Sequence, residues 1–259
     1  METYLKKNNQ NNYIMFDIVV CHGPNDDKLL DLNIQYNSKN IVGKRNFYVI
    51  SHNPNLKRDD CIVIHESVFP FKIQDVKQYS TPQRYGWYLQ QLLKLYAHTI
   101  PNISEHYLVI DCDTLFLKPT TFFENDLICF NYGTEHHKPY FEHFERLSST
   151  LKKQVQHSGI CHHMMFTKTF LQEMFHTITQ EYNQKHNTNH TFWEIMLLCI
   201  DPLHKNGSSF SEYEMYFNYM LLHHKDKIKL RPLKWENART MRLNDDFDYI
   251  SCHWHMCRR

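Results

Sequence analysis

Two carboxylates one residue apart, Asp111 and Asp113, close the apolar run Tyr107-Leu108-Val109-Ile110. A buried strand ending in such a pair brings two hard oxygen ligands to one point, where a divalent cation can share them. A diphosphate on the cation's open face completes its shell, and the cation stabilises charge that develops on a leaving diphosphate. The plain alternative, two acidic residues in an ordinary strand-to-loop turn, is disfavoured by their mutual repulsion. A calcium EF-hand loop is excluded, because its Gly and final Glu are missing. A second pattern is Cys252-His253-Trp254-His255-Met256, where two histidines one residue apart share one side of an extended segment. With Cys257 this segment also offers four zinc donors, spaced too closely for the usual paired knuckles. A third is Ser211-Glu212-Tyr213-Glu214, whose simplest reading is a helix N-cap with carboxylates favoured by the helix dipole. The 19 histidines invite a wider metal reading. His136, His137, His143, His186, His190, His223 and His224, however, read as lying in polar surroundings without ligand spacing.

These residues need elements to position them. Phe16–Cys21, Phe47–Ser51, Cys61–His65 and Tyr107–Ile110 read as strands rich in β-branched residues. Helical spacing separates them, from Asp27 to Tyr36 and again up to His98, with Thr81 as N-cap and Pro82 in the first turn. Leu127–Asn131, His163–Phe166 and Asp248–Cys252 read as later strands. Thr169–Lys185, Thr191–Leu198 and a helix capped by Ser211 and running to about His223 read as helices. Asn183–Asn189 is expected to be a flexible loop. Strands alternating with helices predict an α/β fold with a mostly parallel central sheet flanked by helices. Ligands of such sheets bind outside the carboxyl ends of the strands. The loops after Cys21 and His65 and the Asp111–Asp113 pair should therefore converge on one edge. Residues 1–259 read as one domain, with 1–12 a flexible polar N-terminus.

Composition removes other classes. Lys plus Arg is 29 and Asp plus Glu 28, a formal net charge of +1, which argues against a nucleic-acid binder working by general attraction. Aromatic residues at 14% argue against disorder. No apolar run is long enough to span a bilayer, and Met1–Asn12 lacks the apolar core of a signal peptide. There is no Cys-x-x-Cys among the eight cysteines, several of which sit in apolar runs and read as small buried hydrophobes. The expectation is a protein of the cytoplasm, the host's if the chain is viral.

Asp111-Cys112-Asp113, preceded by the helix Arg84-Tyr85-Gly86-Trp87-Tyr88-Leu89-Gln90-Gln91-Leu92-Leu93-Lys94-Leu95, resembles the nucleotide-sugar glycosyltransferases of the GT-A (Rossmann-like) fold. The order of blocks from Phe16 to His255 is similar to a group from bacteria and large DNA viruses that includes a capsid-glycan glycosyltransferase domain of chlorella viruses. The resemblance implies a metal-dependent transfer of sugar from a nucleotide-diphosphate donor, a UDP-sugar, to a hydroxyl of a glycan or other acceptor. It implies Val20, Cys21 and His22 at the base and ribose, with Arg84 and Gln91 on the nucleotide side. Within Asp111-Cys112-Asp113, Asp113 would ligate Mn²⁺ (or Mg²⁺) directly, and Asp111 would be shared between metal and ribose. His253, with His255 as alternate, would complete the metal site. One of His162 and His163 would face the donor sugar, His163 being the choice here. Glu212, or else Glu214, would take the acceptor's proton. Two alternatives stand beside this. One is a haloacid-dehalogenase-type phosphatase using Asp111 and Asp113, although Thr114 falls one position early for it and three strands precede the motif. The other is a non-enzymatic metal-binding module built on the His-rich tail.

Overall fold

The computed structural model describes residues 14–239, 243 and 246–252. In chain order the elements are β1 (Phe16–His22), α1 (Asp27–Asn40), β2 (Lys44–Ser51), β3 (Ile62–His65), α2 (Ile73–Lys77), α3 (Tyr85–Tyr96), β4 (His106–Asp111), β5 (Thr114–Phe116) and β6 (Phe123–Glu124). There follow β7 (Leu127–Phe130), α4 (Lys138–Leu147), β8 (His163–Thr167), α5 (Lys168–His186), α6 (Phe192–Leu198), α7 (Glu212–His223), β9 (Ile228–Leu230), β10 (Trp235–Asn237) and β11 (Tyr249–Ser251).

The central sheet runs β3-β2-β1-β4-β8. Its first four strands are mutually parallel, and β8 joins β4 antiparallel. The fold is thus mixed α/β with a mostly parallel sheet, as expected and as suits a Rossmann-like domain. The chain builds outward from β1 through β2 to β3, then returns to the other side of β1 to lay down β4. That reversal opens a crevice between the carboxyl ends of β1 and β4. β1 is buried along its whole length, which explains its near-continuous apolar reading. One hydrophobic cluster extends from Phe16 through Leu92, Ile110 and Phe166 to Tyr249, and a small satellite holds Leu115, Ala238 and Ile250.

β5 pairs with β11 on one side only. Its other side is served by buried asparagines of α1 at positions i, i+4 and i+7. Asn37 Nδ2 donates to the Thr114 carbonyl (3.0 Å) and its Oδ1 accepts from the Phe116 amide (2.9 Å), while Asn40 donates to the Phe116 carbonyl (2.7 Å). The helix takes the place of a neighbouring strand and satisfies backbone groups that burial would otherwise orphan.

Several expectations are corrected, and α1 runs on to Asn40, beyond the expected Tyr36. The residues Thr81–Arg84 form a turn, closed by the Arg84 amide on the Thr81 carbonyl (2.8 Å), and α3 begins only at Tyr85 with Arg84 as N-cap. Asn183–Asn189 is not a loop throughout: α5 runs to His186 and ends on left-handed Asn187. Asn183 then ties the exit, donating to the His190 carbonyl (2.8 Å) and accepting from the His190 amide (2.9 Å). His143 is buried, hydrogen-bonded to the Met196 carbonyl (2.9 Å), and does not lie in polar surroundings. Cys21, Cys112, Cys129, Cys161 and Cys199 are buried free thiols, whereas Cys252 is disulfide-bonded.

Candidate active site

Strand register brings the expected loops together. Cys21 pairs with Asp111, and His22, Ser51 and His65 lie in line across β1, β2 and β3. Asp111 ends β4, and its carboxylate is gripped from three elements. Oδ1 accepts from Lys94 Nζ of α3 (2.5 Å) and from the Tyr213 hydroxyl of α7 (2.9 Å). Oδ2 lies 3.2 Å from His162 Nδ1, and the Asp111 amide donates to the His162 carbonyl (2.9 Å). Lys94, only 2% exposed, also donates to Glu212 Oε1 (2.7 Å), and its ammonium sits 4.4 Å from the centre of the Tyr213 ring. Burial opposes ionisation of Asp111, but the Lys94 charge and the His162 contact outweigh it and hold the carboxyl well below the usual range. Burial also disfavours the Lys94 cation, yet its two carboxylate partners keep it charged. Glu212 is pushed the other way, chiefly by burial, and Lys94 offsets this only in part.

The turn itself is held from below. Asn33 Nδ2 is shared among the carbonyls of Asp111 (3.1 Å), Cys112 (3.0 Å) and Thr114 (3.0 Å). Cys112 points its side chain into the core. Asp113 is half-buried at the crevice, accepting from Ser251 Oγ (3.1 Å), and its carbonyl accepts from the Cys252 amide (2.9 Å). The end of β11 is therefore fastened to the carboxylate turn.

The other expected residues divide. Val20 and Cys21 are core, and burial pushes the Cys21 thiol up to about 12. His22 is buried between Ser51 Oγ (3.1 Å) and Asp27 Oδ1 (2.9 Å). Ser51 is fully buried, so this Ser–His–Asp chain has no exposed nucleophile and serves to fix the ends of β1 and β2. Arg84 lies half-buried with its guanidinium 5.7 Å from the Trp87 ring centre. Gln91 is buried and accepts from the Glu212 amide (3.4 Å), so it seats the start of α7. His163 is packed among Phe116, Phe122 and Tyr249, and burial lowers it to about 3. Of the histidine pair, it is His162 that reaches Asp111. Glu214 is wholly buried and committed to Ser158 Oγ (2.6 Å), the Gly159 amide (2.8 Å) and Asn218 (3.1 Å). Glu212, 1% exposed, faces Lys94 and not an open surface. His253 and His255 lie outside the described residues. Among the described residues no three His, Cys, Asp or Glu side chains form a group able to hold a metal ion by themselves.

Sequence reasoning passed over Lys94, because a lone lysine in an apolar helix reads as a surface charge. It passed over Asp26 as well. Burial pushes that carboxyl up against the pull of the Gly23 amide, and the charges of Asp113 and Asp111 add to the rise, so a third carboxylate faces the crevice. Further along the same edge, beyond β3, a cavity of about 200 Å³ is lined by His65, Ser67, Phe71, Lys72, Gln74 and Leu89 among others.

A family model described as a family of unknown function (DUF6492) matches residues 41–245. The chain belongs to that family. The DUF6492 match contains Lys94, Asp111, Asp113, His162, Glu212 and Glu214, and so takes in most of the side chains that grip the carboxylate turn. No curated protein matches the chain. Among the described residues no helix is long and apolar enough to cross a membrane.

Proposed function

We propose that this DUF6492 protein is a metal-dependent glycosyltransferase that moves a sugar from a nucleoside-diphosphate donor, a UDP-sugar by resemblance, to a hydroxyl of a glycan or other acceptor. The observation that carries the reading is the position of the Asp111–Asp113 turn, at the carboxyl end of β4 and beside the end of β1, where the strand order reverses. A nucleoside attached to a diphosphate in that crevice extends over the ends of β2 and β3, toward the cavity beside His65 and Gln74.

The local charge favours a cation as intermediary. The N-terminus of α1 faces the same edge but carries Asp26 and Asp27, so it does not offer the anion site of an unoccupied helix end. With Asp26, Asp111 and Asp113 around the crevice, a diphosphate needs a counter-charge. Asp113 fits as a direct ligand, a half-buried hard oxygen donor at the turn. Asp111 fits less well, because both its oxygens are engaged and Lys94 would repel a second cation. Mn²⁺ or Mg²⁺ bound there supplies the charge that stabilises the departing diphosphate. The protein's own part is to fix Asp111 rigidly toward the ribose side, with Glu212 holding Lys94 in place. The engagement of both Asp111 oxygens also weighs against a phosphatase, whose first carboxylate must attack phosphorus.

Thermal-shift measurement tests the proposal. UDP with Mn²⁺ is expected to raise the melting midpoint more than either alone, and Asp113→Ala to lose that joint effect. No joint effect, or the same effect in Asp113→Ala, sinks the reading. Hydrolysis across a panel of nucleotide sugars then identifies the donor.

A further inference from the structure

The proton of the acceptor hydroxyl needs a taker. Glu212 is tied to Lys94, and Glu214 to Ser158, Gly159 and Asn218, so neither carboxylate expected for that task is open to a hydroxyl. Residues 131–137 link β7 to α4, and both ends of that segment are pinned. Asn131 donates to the Tyr249 hydroxyl (2.8 Å). Gly133 and Ser158 exchange both backbone hydrogen bonds (2.8 and 3.0 Å), and a Cβ on Gly133 would stand 3.2 Å from the Ile160 carbonyl oxygen. The chain that Gly133 meets is itself fixed. Glu214 holds Ser158 and Gly159 to α7, and a Cβ on Gly159 would meet Phe217 Cβ at 2.4 Å. At the far end His137 Nε2 donates to the Ser208 carbonyl (2.8 Å), just ahead of the Ser211 cap of α7.

Residues 131–137 thus bridge two sides from which Asp111 is gripped. One side is the stretch 158–162, which carries His162, and the other is the start of α7, which carries Glu212 and Tyr213. Glu135 lies within this bridge, between its two anchors, and is exposed. Among the described residues no hydrogen bond or ion pair engages its carboxylate. Its charge is nevertheless felt on both sides. Burial pushes the Tyr140 hydroxyl up, and the charges of Glu135 and Glu212 add to the rise while Ser208 and Arg84 oppose it. Burial likewise raises the Cys161 thiol, and Glu214 and Glu135 add to that rise. Such effects fade with distance and screening, so Glu135 stands near both Tyr140 and Cys161, the neighbour of His162.

A hydroxyl that attacks the anomeric carbon sheds its proton as the bond to the diphosphate breaks. The base must be reachable by the acceptor and not already held by a cation. Glu135 is exposed, unengaged and carried on a backbone fixed at both ends, which supplies the positioning. We propose that Glu135 is the catalytic base of the transfer. Its carboxylate takes the acceptor's proton, the acceptor oxygen bonds to the anomeric carbon, and the electron pair of the broken bond leaves with the diphosphate. A single displacement of this kind inverts the anomeric centre. The assignment rests on the transferase reading, which supplies the donor.

The test follows hydrolysis of UDP-glucose, UDP-galactose, UDP-N-acetylglucosamine and UDP-xylose by the full chain with Mn²⁺, water standing in for the acceptor hydroxyl. The wild type is expected to turn over at least one. Glu135→Gln is expected to lower that turnover about a hundredfold or more, the scale of one general base, while stabilisation by UDP and Mn²⁺ stays as in the wild type. Azide ion has no proton to lose and needs no base. With Glu135→Ala it is expected to restore turnover and to give a glycosyl azide of configuration opposite to the donor's. Unchanged turnover in Glu135→Gln, no rescue of Glu135→Ala by azide, or an azide of retained configuration overturns the assignment. So does a wild type that UDP and Mn²⁺ stabilise but that turns over none of the four. A wild type that UDP and Mn²⁺ do not stabilise removes the transferase reading and the base with it.

Discussion

Lys94 is the residue on which the candidate site turns. A single ammonium is buried against two carboxylates, and without it Asp111 and Glu212 would face each other in low dielectric. Breaking a buried ion pair from one side costs about 3–5 kcal/mol, mostly as the penalty of stranded charge. Lys94→Met is therefore expected to lower the urea midpoint strongly. Lys94→Met with Glu212→Gln should recover part of that loss, since one stranded charge is gone. A single variant within about 1 kcal/mol of wild type, the worth of a surface pair, would show that the network is solvated and not buried.

Among the elements, the strap from Ser158 to His162 and the first turns of α7 act as two jaws on Asp111. α7 delivers Tyr213 and Glu212, while the strap, anchored by Glu214, delivers His162 with a left-handed backbone (φ 63°). Gly159→Ala places a methyl against a Cβ that cannot rotate away, so the strap must lift. The expected result is a loss of about 1–3 kcal/mol, typical of overpacking, and a shift of the His162 ring signals in an NMR spectrum. An unchanged midpoint with unchanged His162 signals would mean that the close approach is not needed. The Ser211-Glu212-Tyr213-Glu214 motif was legible as a helix start, and Ser211 does cap it, accepting from the Glu214 amide (3.3 Å). That its carboxylates point inward, to Lys94 and to the strap, was not legible, because partners 118 and 56 residues away set that direction.

For the whole molecule, buried histidines and a buried aspartate set the acid limb of stability. Burial lowers His143 to about 4 and His163 to about 3, both below the roughly 6.5 of an unfolded chain. The unfolded state thus takes up protons first. The contribution of these neutral rings is complete above about pH 6.5 and is lost as pH falls toward their folded values, each by on the order of 1 kcal/mol per pH unit. Asp17 acts lower on the scale. Burial would raise it, but the Arg45 fork (2.9 and 2.7 Å) and the Ser104 amide (2.7 Å) more than offset that and hold it below the usual carboxylate range. Its contribution is present above about pH 4 and is lost below it. The melting midpoint should fall steadily from pH 7 to pH 4, and His163→Leu should flatten that slope. A midpoint independent of pH across this interval would contradict the burial of these rings.

The sequence by itself determined the α/β class, the four parallel strands and the acidic turn at the end of the fourth, because apolar runs and a paired carboxylate are local signals. It missed β5, β6, β9 and β10, which are two or three residues long and too short to carry a period. It missed the asparagines of α1 as a substitute strand, since a polar stripe on a helix reads as a solvated face. It placed His163 at the donor, where the alternation of the strand could not separate it from His162. Only the tertiary structure shows which of the two reaches Asp111, where α3, α7 and the strap meet and His162 lies 3.2 Å from the carboxylate. A buried charge is tolerable only where partners from elsewhere in the chain meet it, and no local pattern records who those partners are.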